Sequence, residues 1–134
     1  MMINILAAIV CLFSFVCVKG QTVYRSETIR TTDLGNQKLE KVGDEYYIKL
    51  ATGNAFQKEI AVSLGEKEKA VSFLQNLYDL RLKRGDMVSF DNKTNNTAIW
   101  SGLNGYTVYS SGKMLKGHLR KRNIKLFIDA IKKK

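Results

Sequence analysis

Apolar residues recur at spacings of three and four through Ala70, Phe73, Leu74, Leu77 and Leu80. One stripe on a 3.6-residue period predicts an amphipathic helix from about Gly65 to Arg84. Ser63-Leu64-Gly65-Glu66, ahead of the stripe, matches the capping-box pattern, in which Ser and Glu side chains satisfy free backbone donors of the first turn. Gly85, after Arg81, Lys83 and Arg84, reads as the helix stop. A second stripe of Ile124, Phe127, Ile128 and Ile131 predicts a shorter helix from about Asn123 to Lys132.

Elsewhere the period is two. The stretch beginning at Gln21 is rich in Val, Tyr, Thr and Ile and reads as a strand. Residues 38–52 read as two strands turning at Gly43-Asp44, with Tyr46, Ile48 and Leu50 on one face. Phe56, Ile60, Val62 and Leu64 are expected on one side of the next strand. Further strands are expected at Asp86–Phe90, Ala98–Gly102 and Met114–His118. Asn104-Gly105 carries the signature of a two-residue type I′ hairpin, which would set Trp100 opposite Tyr109. Each half therefore reads as strands followed by a helix. The expected fold is α+β, an antiparallel sheet of six to eight strands with two helices packed on it. A helix on each of two separate sheets is the alternative.

The N-terminus departs from this pattern. Ile5 to Val18 is an apolar run followed by Lys19, Gly20 and Gln21, the layout of a secretory signal peptide cleaved after Gly20. The competing reading is a retained anchor. Cleavage would remove both cysteines, Cys11 and Cys17, leaving one domain over residues 21–134 with no disulfide or thiolate chemistry. Export, to the periplasm or the exterior, is the expected destination.

Charge then sharpens the picture. The chain of 134 residues has a formal net charge of +10. Residues 113–134 hold nine basic side chains and one acid, Asp129, whereas residues 21–112 hold twelve basic and eleven acidic ones. The excess sits at the C-terminal end. Lys113, Lys116, Arg120, Lys121, Arg122 and Lys125 are the candidate anion-binding residues. Arg120-Lys121-Arg122 precedes the predicted helix, where the helix dipole favours acids, so helix stabilisation does not account for it. Lipid head groups, anionic polysaccharides or an acidic protein suit an exported protein, and nucleic acid does not.

Other chemistry is sparse. Trp100, Tyr106 and Tyr109 form a candidate aromatic platform for a sugar ring, although cross-strand aromatic pairs ordinarily serve the sheet. His118 is the sole histidine, and Ser110 and Ser111 have no evident base. Asp44, Glu45, Asp79, Asp86 and Asp91 are the acids from which a carboxylate hydrolase pair would have to be drawn. Asn92 and Asn95 lie in N-x-T patterns that accept glycans in a eukaryotic secretory pathway. No dinucleotide or phosphate-loop motif is present, and no cofactor or metal is implied. The expectation is a non-catalytic binding domain. The alternatives are a structural or accessory subunit, an inhibitor of a secreted enzyme, or a small carboxylate-based hydrolase.

Overall fold

The computed structural model describes residues 15–18, 21–102 and 104–133. Its short first pair, β1 (Phe15–Val18) and β2 (Gln21–Tyr24), is antiparallel. The remainder of the expected signal segment lies outside the described residues. The chain is α+β, but its main strands form two four-stranded antiparallel sheets instead of one. β3 (Ser26–Thr32), β4 (Gln37–Val42), β5 (Glu45–Ala51) and β6 (Glu59–Gly65) form the first, in chain order, and α1 (Lys67–Asp79) follows. β7 (Met87–Ser89), β8 (Thr97–Trp100), β9 (Gly105–Tyr109) and β10 (Lys116–Arg120) form the second, and α2 (Lys121–Lys132) follows.

Side chains cover part of the open edge of the first sheet at β6. The Ser63 backbone N–H donates to Thr94 Oγ1 at 3.0 Å, and the Ser63 carbonyl accepts from Asn92 Nδ2 at 3.1 Å. Covering an edge in this way removes a template for unwanted strand pairing. Alternation then sorts the faces as expected. Leu39, Ile48, Leu50, Ile60 and Val62 are buried, and they meet Ala70, Leu74 and Leu77 of α1. From the second half come Ala98, Tyr106, Val108 and Leu119, together with Ile124, Phe127, Ile128 and Ile131 of α2. The two helices pack on each other, and α2 also reaches back to β3 of the first sheet.

Four local expectations fail, each for a physical reason. Phe56 is fully exposed because β6 begins only at Glu59, so it is a loop residue outside the alternation. Ser63 caps no helix, since it lies inside β6; the N-cap is Glu66, without a side-chain capping bond. α1 ends at Asp79, and Leu80 turns to an extended ψ of 136°. Leu80 is left partly exposed, and the extended chain carries Leu82 against the core. Gly85 is left-handed at φ 91°, but it lies in a loop and donates its N–H to Trp100, so it stops no helix.

The hairpin between β8 and β9 is also longer than expected. Ser101 N–H donates to the Gly105 carbonyl at 3.0 Å, so this pair closes the hairpin, and positive φ falls on Gly102 and Asn104. Trp100 consequently pairs with Tyr106, not Tyr109. Gly105 is needed for close approach: a Cβ there would stand 2.7 Å from the Leu119 carbonyl oxygen of β10.

Gly117 plays the same part between the sheets. A Cβ on it would lie 2.6 Å from Leu50 Cβ and 3.3 Å from the Ala51 carbonyl oxygen. β10 therefore runs against the end of β5 with no room for a side chain. Gly117→Ala is expected to cost about 1–3 kcal/mol through overpacking, read as a lowered urea midpoint by circular dichroism. A midpoint equal to wild type would contradict this contact.

Candidate functional site

The second sheet and α2 are fixed to the first half by a buried polar cluster. Gln37, the first residue of β4, is 2% exposed, and Asn123, in the first turn of α2, is 1% exposed. Asn123 Nδ2 donates to Gln37 Oε1 at 2.8 Å and to Asp33 Oδ2 at 3.2 Å. Gln37 Nε2 donates to Asp33 Oδ2 at 3.0 Å, and the Arg120 backbone N–H donates to Gln37 Oε1 at 3.2 Å. No buried side-chain polar atom among the described residues lacks a partner. Burying amides is costly unless they satisfy one another, so this cluster tolerates few arrangements.

On its outer side the cluster holds cations. Arg120 Nε lies 3.3 Å from Asp33 Oδ2, and Arg122 Nη2 lies 3.7 Å from Asp33 Oδ1. α2 begins at Lys121, two residues earlier than expected, so Lys121 and Arg122 stand in its first turn and Arg120 is the N-cap. That turn contains no acid. Lys121 donates its backbone N–H to the Asn104 carbonyl at 2.7 Å, and its ammonium lies 5.1 Å from the Tyr78 ring centroid and 5.8 Å from that of Trp100. The Lys125 ammonium lies 5.9 Å from the Tyr78 ring. A cleft of about 530 Å³ opens here, lined by Tyr78, Asn104, His118, Arg120, Lys121 and Arg122.

The six candidate anion-binding residues thus divide. Arg120, Lys121 and Arg122 line the cleft, and Lys125 adjoins it through Tyr78. Lys116 shares the outward face of β10 with His118 and Arg120, and Lys113 lies in the turn before β10. His118 and Tyr78 complete the cleft, though neither stood out in the sequence as a site residue. For His118 the signal was its period-two spacing with Lys116 and Arg120. Tyr78 had none, because it belongs to the other half of the chain.

The aromatic platform does not form as expected. Tyr106 is 1% exposed, and its hydroxyl donates to the Leu77 carbonyl at 2.7 Å. Burial raises the pKa of that phenol. Trp100 meets it edge-on, with centroids 4.9 Å apart, while Tyr109 lies along the ladder opposite Thr97 and Lys116. The Trp100–Tyr106 pair is a packing contact between strands and helix.

A second groove, about 810 Å³, runs between α1 and the loop after β7. Glu45, Glu66 and Asp91 line it together with Lys69 and Lys93. Glu45 is paired with Lys93 and accepts a hydrogen bond from the Tyr47 hydroxyl at 3.0 Å. The bond from Lys93, and then that from Tyr47, hold the Glu45 carboxyl below its ordinary value. A general acid needs the opposite shift. Asp79 accepts from Gln75, Asp86 accepts from the Lys83 backbone, and Asp44 lies in the β4–β5 turn, so these acids do not gather in one cleft with Glu45. Asn92 spends its amide on Ser63 and Asn96, whereas Asn95 is exposed. Among the described residues no group of three His, Cys, Asp or Glu side chains is placed to share a metal ion.

Comparisons with family models, with curated proteins and with solved structures give no match to this chain.

The Glu45 shift has a testable sign. Its folded pKa is depressed, so its favourable interaction is present above the unfolded value and is lost as pH falls through the folded one. By carboxyl-carbon NMR, Glu45 should titrate below 4.5, its ordinary value, and Lys93→Met should move the midpoint upward. A midpoint unaffected by Lys93→Met would remove the pair from the account of this groove.

Proposed function

We propose that this protein is a non-catalytic binding domain that recognises an anionic group at the start of α2. The observation that carries the reading is the cleft lined by Arg120, Lys121, Arg122 and His118. Its cations are presented on a helix terminus whose dipole repels them, a cost that the Asp33 carboxylate beside them offsets only in part. Both arginines are oriented by Asp33, and guanidinium groups suit bidentate recognition of phosphate, sulfate or carboxylate. The role of Asp33 is to aim these groups while neutralising only part of their charge. Export through a cleaved N-terminal segment belongs to the same proposal and makes an extracytoplasmic anion the natural ligand.

The hydrolase alternative is weaker on the same grounds. Glu45 in the second groove is held ionised by Lys93 and Tyr47, which suits a structural ion pair.

Inorganic polyphosphate serves as a test ligand across a salt series. Replacing Arg120, Lys121 and Arg122 by Gln should weaken binding by at least about tenfold, because hydrogen bonds to charged groups contribute roughly 1.5–3 kcal/mol each. The residual binding should also depend less on salt. Lys132→Gln with Lys133→Gln, which removes charge away from the cleft, should retain most of the affinity. Equal losses in the two variants would reduce the effect to net charge and contradict a specific site.

A further inference from the structure

Six large apolar side chains are exposed among the described residues, and three stand apart. Leu34 is at 104%, Phe56 at 101% and Met114 at 86% of full exposure, against 56% or less for the rest. Two of these sit on connections at one end of the first sheet, and the third precedes the strand that packs against that end. In an antiparallel meander the β3–β4 and β5–β6 connections share an end, and here Ala51 N–H donates to the Asn36 carbonyl at 2.9 Å between them. Met114 precedes β10, whose Gly117 lies against Leu50 and Ala51 at that same end of β5.

The loops are built to hold these side chains outward. Asn54 Oδ1 accepts from the backbone N–H groups of Phe56 at 2.8 Å and Gln57 at 3.0 Å. Thr52 Oγ1 donates to the Gln57 carbonyl at 2.6 Å and accepts from Asn54 N–H at 3.0 Å. Leu34 takes a left-handed φ of 58°, a conformation that leucine adopts rarely and at a cost. Neither loop gains any burial of its apolar residue in return.

Basic residues flank the tips along the chain. Lys58 and Lys113 are close neighbours in sequence of Phe56 and Met114, and β10 presents Lys116, His118 and Arg120 on its outward face. His118 and Arg120 line one cleft together with Leu34. The acids Asp33 and Glu59 already have partners in Arg120 and Lys38. Apolar residues on separate projecting loops do not form the continuous apolar centre that a protein interface needs. With basic residues beside them in the chain, they suit a bilayer surface, where acyl chains accept the tips and lysine stems cover apolar area while their ammonium groups meet head groups.

We propose that this end of the molecule docks on an anionic lipid bilayer, with Leu34, Phe56 and Met114 entering the acyl boundary while Arg120 and Lys116 engage head-group phosphates. The proposal rests on the anion-binding reading above and extends it from the cleft to an adjoining bilayer-facing surface that shares Arg120 with it.

The test compares the full chain with the variant Phe56→Ser, Met114→Ser by co-sedimentation with vesicles of phosphatidylglycerol in phosphatidylcholine and with phosphatidylcholine alone. Any contribution of the N-terminal segment is common to both proteins. Wild type should favour the anionic vesicles, and the variant should bind them at least about tenfold more weakly. Its unfolding temperature and polyphosphate binding should be unchanged, because both side chains project into solvent. Equal vesicle binding by the two proteins would overturn the proposal. Polyphosphate binding by wild type without vesicle binding would also overturn it while leaving the cleft intact. Tighter binding of soluble polyglutamate than of vesicles would make the partner an acidic protein and overturn the bilayer. Failure to bind any of these probes would remove both readings.

Discussion

The hydrogen-bonded junction of Asp33, Gln37 and Asn123 decides how the two halves of this protein meet. Apolar packing between sheets and helices is favourable in many registers, because hydrophobic attraction has little directionality. Buried amides are far less permissive, since each donor and acceptor left unmatched carries a desolvation penalty. Asn123 can satisfy Gln37 and Asp33 only if α2 begins where it does. The same placement sets Arg120, whose backbone bonds Gln37 and whose side chain bonds Asp33. The position of the cationic cleft is thus a consequence of the junction.

A second tie works at another point of the first sheet. Asn92 and Thr94 engage the backbone of Ser63, and Asn96 bonds Asn92 and the Tyr109 carbonyl. The polar loop after β7 therefore binds β6 and β9 together while leaving Asn95 in solvent. With α1 and α2 packed on each other, the two strand-and-helix halves share one core cluster. That division of labour leaves the Leu34 and Phe56 side chains themselves outside the core.

Periodicity made the helices and the faces of β5 and β6 legible, because a buried stripe imposes its own repeat. Ile124, Phe127, Ile128 and Ile131 are buried as expected, and so are Tyr46, Ile48 and Leu50. The ends of elements were less legible. Ser63-x-x-Glu66 has a capping pattern, yet strand pairing continued through Gly65 and claimed the serine. Gly105 resembled a turn residue but is required by the approach of Leu119. At the site, the cluster of Arg120, Lys121 and Arg122 was visible as composition. Its organising partners were not, because Asp33 and Gln37 precede Asn123 by 90 and 86 residues. Nothing local in a polar turn announces a long-range buried bond.

The junction is tested most directly by a double-mutant cycle on unfolding free energy, using Gln37→Leu, Asn123→Leu and the pair. Each single variant leaves the other amide short of its partner, whereas the double variant removes both. The two changes should therefore couple by about 1–3 kcal/mol, the range found for residues in one hydrogen-bond network. Strict additivity would contradict the claim that these amides fix how the halves meet, and with it the stated origin of the cationic cleft.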